Sequence, residues 1–194
     1  PVHLPITEEA PCLVEDARKP FYAIAKLTAE KLALTYGKMK GLPVTVFRFW
    51  WSYGEKIGGR HLRDMIALAQ AGQPLMVPDS AGGSFLDHDD LTHALLLATH
   101  KQESVGQIFN LATVYLEWKD IARMIIEVAG STSSLKVVPA REWKGAQFLA
   151  DSWELSTSKS EHLFDYRSLF SPSIARQRLK KAVELCRKEI GSKS

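Results

Sequence analysis

The 194-residue sequence predicts an α/β fold. Small and apolar residues recur at helical spacing from Tyr22 to Lys40, and a β-branched and aromatic run over 44–51 follows directly after Gly41 and Pro43. A helix that leads at once into a buried strand is typical of chains whose helices pack against a parallel sheet. The hydrophobic content of 45% is sufficient for a real core, in one domain or in one domain and part of another.

The rest of the chain continues to alternate helix and strand signals. The predicted helices are 61–71, about 89–100, 118–129 and about 173–190, and the predicted strands are 75–77, 85–88, 107–112 and 135–138. Gly72 and Gly130 close two of these helices. Asp89 and Asp90 suit the start of the helix over 89–100, because carboxylates accept hydrogen bonds from the free amides of a first turn.

Composition argues against several classes of partner and location. The 25 Lys+Arg and 22 Asp+Glu residues give a net charge of +3, which is too small to indicate a nucleic-acid partner, and the basic stretch 176–188 is typical of the solvated face of a helix. Cys12 and Cys186 lack metal-site or disulfide-framework spacing, which favours a reducing, cytoplasmic location. No apolar run reaches the roughly 20 residues that a membrane span needs, and the N-terminus lacks the layout of a signal peptide.

Tyr22 and Lys26 are the residues of this sequence that best suit proton-transfer chemistry. They lie one helical turn apart, on one face and near the N-terminal end of the first predicted helix. A phenol with an ordinary pKa of about 10 is a poor base at neutral pH, but a neighbouring cation favours the phenolate. The pair could then move a proton to or from a substrate hydroxyl while a nicotinamide cofactor moves the hydride. This spacing also arises by chance, and the alternative is a Tyr22 at the edge of the core beside a solvated Lys26.

The sequence resembles a known family around this pair and beyond it. The blocks that carry the resemblance are 5–9 with 19–22, then 41–54, 85–91 and 107–112, and finally 156–159 with 164–166. They occur in the same order as in the extended short-chain dehydrogenase/reductases, especially the NAD-dependent epimerase/dehydratase branch, and they cover nearly all of the chain.

The resemblance implies roles for individual residues. Tyr22 corresponds to the general acid/base, and Lys26 to the residue that lowers the phenol's pKa and hydrogen-bonds the nicotinamide ribose, so that both also bind the cofactor. Trp50 corresponds to a position that contacts the nicotinamide end, partly through its backbone. Substrate contacts begin at Trp51 and Ser52. The alternative for the two tryptophans is core packing on opposite faces of a strand.

The resemblance also implies an architecture and an activity. The fold is then the C-terminal part of a Rossmann-like doubly wound parallel sheet plus a small α/β substrate-binding lobe. Residues 1–54 form the remaining part of the cofactor domain with the catalytic helix, and 55–194 mainly form the lobe, with about 85–112 returning to the Rossmann-like core. The implied activity is that of an NAD- or NADP-dependent epimerase, dehydratase or reductase acting on a sugar nucleotide or a related hydroxyl/carbonyl substrate.

The family commonly forms homodimers through the catalytic helix. A solvent-side stripe of Leu27, Leu34 and Met39 would suit that contact, and the alternative is burial of these side chains inside the same chain.

One departure from the family concerns the cofactor. Neither Gly58-Gly59 nor Gly82-Gly83 has the spacing or the strand-before, helix-after context of a dinucleotide fingerprint. The family places that fingerprint, and a further catalytic Ser/Thr, upstream of its Tyr. We therefore expect the second half of an enzyme, as a truncated gene, a fragment or one piece of a split protein, and the missing fingerprint argues against cofactor binding by this chain alone. The alternative is a catalytically silent remnant or a binding subunit that needs an N-terminal partner segment.

Further departures concern the substrate. The family often has Asn where this chain has Trp51, and where it has Gly83 the family often has an Arg that grips the substrate diphosphate. A replacement cation could come from Arg60, Arg63 or Arg141, each of which also fits a solvated surface position. The run from His88 to Asp90 resembles a metal cluster only superficially and is explained by a strand end and a helix cap, so no metal site is predicted.

Overall fold

The computed structural model describes residues 3–17, 19–57 and 59–191. The α-helices in these residues are α1 (Pro20–Lys40), α2 (Arg60–Gln70), α3 (His88–Thr99), α4 (Trp118–Ala129), α5 (Ser158–Phe164) and α6 (Pro172–Gly191). The strands are β1 (Val46–Arg48), β2 (Trp51–Tyr53), β3 (Leu75–Pro78), β4 (Gly82–Asp87), β5 (Ile108–Asn110), β6 (Val114–Glu117), β7 (Leu135–Val138) and β8 (Ser152–Trp153). The α/β class predicted from the sequence is confirmed.

Parallel pairing dominates the sheets. β1 pairs with β5, and β3 pairs with β7, each in parallel. The largest sheet is built on β4, which pairs in parallel with β2 and β8 and antiparallel with β6. Mostly parallel sheets with helical crossovers are the architecture that the resemblance implied.

The single strand predicted over 44–51 is wrong, because this segment contributes to two sheets. β1 ends at Arg48 and β2 begins at Trp51, and the intervening Phe49 and Trp50 belong to neither strand. A continuous β-branched and aromatic run does not show where the chain leaves one sheet and enters another, so this switch between sheets could not be predicted from the sequence. The switch places Trp50 just beyond the carboxyl end of β1, the edge at which open α/β sheets bind ligands.

β4 begins three residues earlier than the predicted strand over 85–88, since Gly82 and Gly83 are paired residues and not part of a turn. A Cβ atom on Gly82 would lie 2.2 Å from the carbonyl oxygen of Leu116 in β6, so glycine allows the two strands to approach closely. β6, β8 and α5 were not predicted. They are short, and β6 follows β5 after only three residues.

α1 spans the whole predicted range and begins two residues earlier, at Pro20, which fits the first turn of a helix because its missing N–H is not needed there. Gly41 ends the helix in the left-handed conformation, with a φ of 66°. Gly37 is the only fully buried residue of α1, and a Cβ atom there would lie 2.7 Å from the Val44 side chain. At Gly37 the backbone of α1 therefore approaches the Val44 side chain closely, whereas most of the helix surface stays open.

Two apolar cores lie on either side of β4. Phe85 belongs to the larger core, which also contains Trp118 of α4 and Leu179 of α6, whereas the next residue, Leu86, belongs to a smaller core with Phe109 of β5. Successive side chains of a strand point to opposite faces, so β4 serves both cores. The domain boundary at residue 54 stays a prediction.

The junction of β4 and α3 anchors the C-terminal helix. The carboxylate of Asp87 accepts hydrogen bonds from Arg178 Nε at 2.7 Å and Nη2 at 2.9 Å, and the buried Asp90 accepts from the amide of Leu169 at 2.7 Å. Asp87 is also the N-cap of α3, accepting from the Asp89 amide at 2.9 Å. The predicted helix start is therefore close, but the cap is Asp87, and Asp89 and Asp90 occupy the first turn.

Both cysteines are free, Cys12 at the surface and Cys186 in the core, where burial raises the pKa of its thiol. None of the helices in the described ranges has the length and apolar character that a bilayer crossing requires.

Candidate active site

Tyr22 and Lys26 lie on the exposed N-terminal part of α1. The Nζ atom of Lys26 is 5.6 Å from the centroid of the Tyr22 ring, a distance at which a cation and an aromatic ring attract each other. The Tyr22 side chain is 63% exposed, so it is not an edge of the core. The phenol and the ammonium are thus adjacent and accessible to a ligand.

The segment that leads into α1 is held by the carboxyl ends of two parallel strands. Asn110 of β5 donates its backbone amide to Glu8 Oε1 at 2.7 Å and its side-chain amide to the Ile6 carbonyl at 3.0 Å. Arg48 of β1 donates through Nη1 to the carbonyl oxygen of Glu8 at 3.1 Å. These bonds attach residues 6–8, which precede the helix that carries Tyr22, to both strands.

Arg48 also binds α1 itself. Its Nε and Nη2 atoms donate to the two carboxylate oxygens of Glu30, each at 2.8 Å, which is the two-pronged geometry of a strong charge-assisted contact. The hydrogen bonds from Arg48 hold the pKa of the Glu30 carboxyl below its usual value, and the same pair raises the pKa of Arg48. Neither residue was predicted from the sequence, in which only the position of Glu30 four residues after Lys26 could have indicated a role for it.

Trp50 and Trp51 form a stacked pair at the end of β1. Their ring centroids are 4.7 Å apart with an interplanar angle of 23°. Both indoles pack against the larger core, as the alternative predicted, but they do not lie on opposite faces of one strand, because the chain leaves β1 after Arg48 and enters β2 only at Trp51. Trp50 makes further ring contacts with Phe85 and Trp118, so the pair joins the carboxyl end of β1 to the larger core.

The indole of Trp50 fills the space above Gly83. A Cβ atom on Gly83 would lie 1.9 Å and 2.0 Å from two carbons of the Trp50 ring, so a side chain at position 83 cannot coexist with the ring in this place. The departure at position 83 is thus linked to Trp50, a residue that was not itself counted as a departure from the family. Only a three-dimensional contact reveals this dependence.

Ser52 lies further along β2 and faces His88, with 3.3 Å between Ser52 Oγ and His88 Nε2. The carboxyl ends of β2 and β4, at Gly54 and Asp87, border an open cavity of about 600 Å³ that is lined on its other side by Arg178 and neighbouring residues of α6. Ser52 lies in β2, just before Gly54 at the border of this cavity, whereas Tyr22 and Lys26 lie on a different element, α1.

The remaining candidate side chains lie at the surface. Arg60, Arg63 and Arg141 form ion pairs with Asp64, Glu189 and Glu142 at 3.4–3.5 Å. Within residues 3–17, 19–57 and 59–191, no group of three or more His, Cys, Asp or Glu side chains is arranged to hold a metal ion.

The predicted dimer stripe on α1 is not a single face. Leu27 and Leu34 are half-buried, whereas Met39 is exposed. The large exposed side chains on the side of α1 away from Gly37 are Phe21, Leu32, Tyr36 and Met39.

Comparisons with known proteins identify the family of this chain. Residues 2–112 match the model of the NAD dependent epimerase/dehydratase family. Over 140 residues the chain is 29% identical to the trifunctional UDP-glucose 4,6-dehydratase/UDP-4-keto-6-deoxy-D-glucose 3,5-epimerase/UDP-4-keto-L-rhamnose-reductase of Arabidopsis thaliana, a match that covers 69% of this chain and 21% of that protein.

Solved structures share the fold. The dTDP-glucose 4,6-dehydratase DesIV of Streptomyces venezuelae, with NAD and TYD bound, superposes with a TM-score of 0.70 at 20% identity, over 96% of this chain and 55% of that one. The UDP-glucuronic acid 4-epimerase of Bacillus cereus, in complex with NAD, gives a TM-score of 0.69 at 18% identity, over 96% of this chain and 56% of that one. The chain thus spans about half the length of these enzymes, and it belongs to the NAD-dependent epimerase/dehydratase family.

Proposed function

We propose that this chain supplies the catalytic helix and the substrate-binding lobe of an NAD(P)-dependent epimerase, dehydratase or reductase. The exposed contact between Lys26 and the Tyr22 ring, at 5.6 Å, is the observation that carries the proposal. Tyr22 exchanges a proton with a substrate hydroxyl, and the positive charge of Lys26 stabilises the phenolate formed in that exchange. The nicotinamide cofactor supplies the hydride chemistry.

The described residues suit the nicotinamide end of the cofactor. Lys26 is an exposed hydrogen-bond donor for the ribose, and Trp50 lies beside the carboxyl end of β1, where Rossmann-like sheets bind dinucleotides. The pyrophosphate end needs a glycine-rich turn at a helix N-terminus, and these 194 residues contain no such motif. We propose that residues outside this sequence supply that turn.

The sheet offers a place for those residues. One edge of β1 pairs with β5, and no strand from the described ranges pairs with its other edge. Parallel sheets are normally larger than two strands and buried on both faces. A cofactor-binding segment that adds a parallel strand to β1 would therefore extend the sheet beside Trp50.

The proposed substrate is a sugar nucleotide or a related hydroxyl/carbonyl compound. The relatives described above are named for UDP- and dTDP-sugars, which supports the first class. Because Trp50 occupies the space above Gly83, a cation that binds a diphosphate must come from another position, and Trp51 and Ser52 are the proposed start of the substrate contacts.

A second candidate function is a catalytically silent binding subunit. The Trp50 ring above Gly83 favours it, because a side chain that could bind a nucleotide sugar from position 83 cannot coexist with this ring. Such a subunit would use the substrate-binding lobe and the exposed surface of α1 for binding and would not catalyse a reaction.

Titration with NADH tests the cofactor proposal. Energy transfer from the tryptophans to NADH would be measured for this chain alone and for a fusion behind the dinucleotide-binding half of the Bacillus cereus epimerase. We expect micromolar binding by the fusion only, at least tenfold weaker in Lys26→Met, and unchanged in the control Lys144→Met at an exposed position. A folded fusion that does not bind NADH contradicts the proposal, and a fusion that binds NADH but converts no sugar nucleotide favours the silent subunit.

We also propose a homodimer in the cytoplasm. The apolar face Phe21, Leu32, Tyr36 and Met39 is between 57% and 89% exposed, and a second copy of α1 offers a surface of the same chemistry. The two free cysteines support a reducing compartment.

A further inference from the structure

Glu30 lies within reach of the catalytic pair. It follows Lys26 by four residues on α1, and residues at this spacing are neighbours on a helix surface. The Glu30 side chain is only 8% exposed, so its carboxylate needs a cationic or hydrogen-bonding partner from the protein. Lys26 is one cation that could provide it.

Arg48, and not Lys26, binds this carboxylate. Both oxygens of Glu30 accept from Arg48, and a third bond from Arg48 to the Glu8 carbonyl fixes the guanidinium from the other side. Lys31 adds a looser contact with Glu30 at 3.4 Å. Lys26 lies over the Tyr22 ring and not on Glu30.

We propose that Arg48 is a positioning residue for the Tyr22–Lys26 pair. By holding Glu30 in a two-pronged contact, it keeps the carboxylate from drawing Lys26 one turn along the helix, away from Tyr22. The catalytic meaning of this role rests on the proposed function, but the effect on Lys26 does not. The other charged or titratable groups around Arg48, Glu30 and residues 6–9 are Glu8, Glu9, Cys12, Lys31 and Lys159.

The test measures the reactivity of the Lys26 amine in the chain without cofactor. Brief acetylation with acetic anhydride, followed by peptide mass spectrometry, gives a labelling rate, and an ammonium paired with a carboxylate labels more slowly because the charged form is favoured. Arg48→Met should slow the labelling of Lys26 by about 1.4- to twofold, as expected for a new pair at this helical spacing. Arg48→Met/Glu30→Gln should restore the original rate, because the competing charge is gone.

Two controls make the result specific. Arg123→Met removes the cation from a surface pair with Asp120 on α4 and should leave Lys26 labelling unchanged. If Arg48→Met does not fold, as judged by circular dichroism, Arg48→Lys retains a charge but cannot form both bonds, and the same comparison with Glu30→Gln applies.

A folded Arg48 variant with unchanged Lys26 labelling overturns the proposal, as does a slowing that persists in the double variant. In the fusion protein, Glu30→Gln should likewise rescue the turnover that Arg48→Met loses. If the labelling of Lys26 changes as predicted but no variant of the fusion protein shows turnover, the proposed function is contradicted and the positioning role of Arg48 stays supported.

Discussion

Replacing Gly83 by alanine would place a methyl group where the indole of Trp50 lies. The new carbon would be 1.9–2.5 Å from three carbons of that ring, far inside van der Waals contact. Trp50 cannot swing aside freely, because it is stacked on Trp51 and packed against Phe85 and Trp118. Overpacking of this kind costs about 1–3 kcal/mol, and about 2 kcal/mol corresponds to a fall in Tm of roughly 4–8 °C for a chain of this size.

Urea unfolding followed by circular dichroism measures that loss for Gly83→Ala. The matched control is Gly191→Ala, whose added carbon meets its nearest neighbour, Gln70 Nε2, at an ordinary 3.5 Å and should not destabilise the protein. In the double variant Trp50→Leu/Gly83→Ala the clash is gone, so its loss should be smaller than the sum of the two single losses. A Gly83→Ala variant as stable as the parent, or strictly additive losses, would refute the placement of the indole above Gly83.

The remaining predictions concern the ion pairs and the α1 surface. Arg178→Met leaves the Asp87 carboxylate, 1% exposed, without its cation, and should cost about 2–3 kcal/mol in urea unfolding at pH 7, since Arg178 itself is partly exposed; a loss near zero would contradict the anchoring of α6. The pKa of Glu30 is lower in the folded protein than in the unfolded chain. The stability that ionised Glu30 gives to the folded state is therefore complete above about pH 5, and it is lost as the pH falls through the pKa of the folded state. The stability difference between the parent and Glu30→Gln should therefore be largest at pH 7 and shrink below pH of about 4, and a constant difference would argue against ionised Glu30 as its source. Leu32→Glu should convert a dimer into a monomer in light scattering with no loss of Tm, whereas an unchanged mass would exclude this face of α1 as the interface.

The sequence predicted the long elements well. α1, α4 and α6 have many turns of regular apolar spacing, and Gly41 and Gly130 mark two of their ends in the left-handed conformation that glycine favours. These signals are local, and each is repeated several times along its helix, so tertiary structure did not override them.

The errors lie where partners come from distant parts of the chain. Nothing in the run 44–51 shows that β1 pairs with β5 and β2 with β4, so one strand was predicted in place of two. Gly82 and Gly83 are typical turn residues, and only their contacts with β6 and with Trp50 explain why they lie in a strand.

The candidate site was predictable only in part. Helical spacing predicts that Tyr22 and Lys26 are neighbours. The stacking of Trp50 on Trp51 could not be predicted, because it depends on the break between β1 and β2. The contact between Glu30 and Arg48 joins a helix to a strand across 18 residues of sequence, and no local pattern encodes it.

The role of Tyr22 is tested most directly by Tyr22→Phe in the fusion with a dinucleotide-binding half, comparing turnover of a UDP- or dTDP-sugar with affinity for NADH. Phenylalanine keeps the ring beside Lys26 and removes only the hydroxyl that transfers the proton. We predict that turnover falls by at least roughly a hundredfold, the contribution expected of a general acid/base, while NADH affinity stays within about a factor of two. A variant that binds NADH and retains the turnover of the parent would contradict the catalytic assignment.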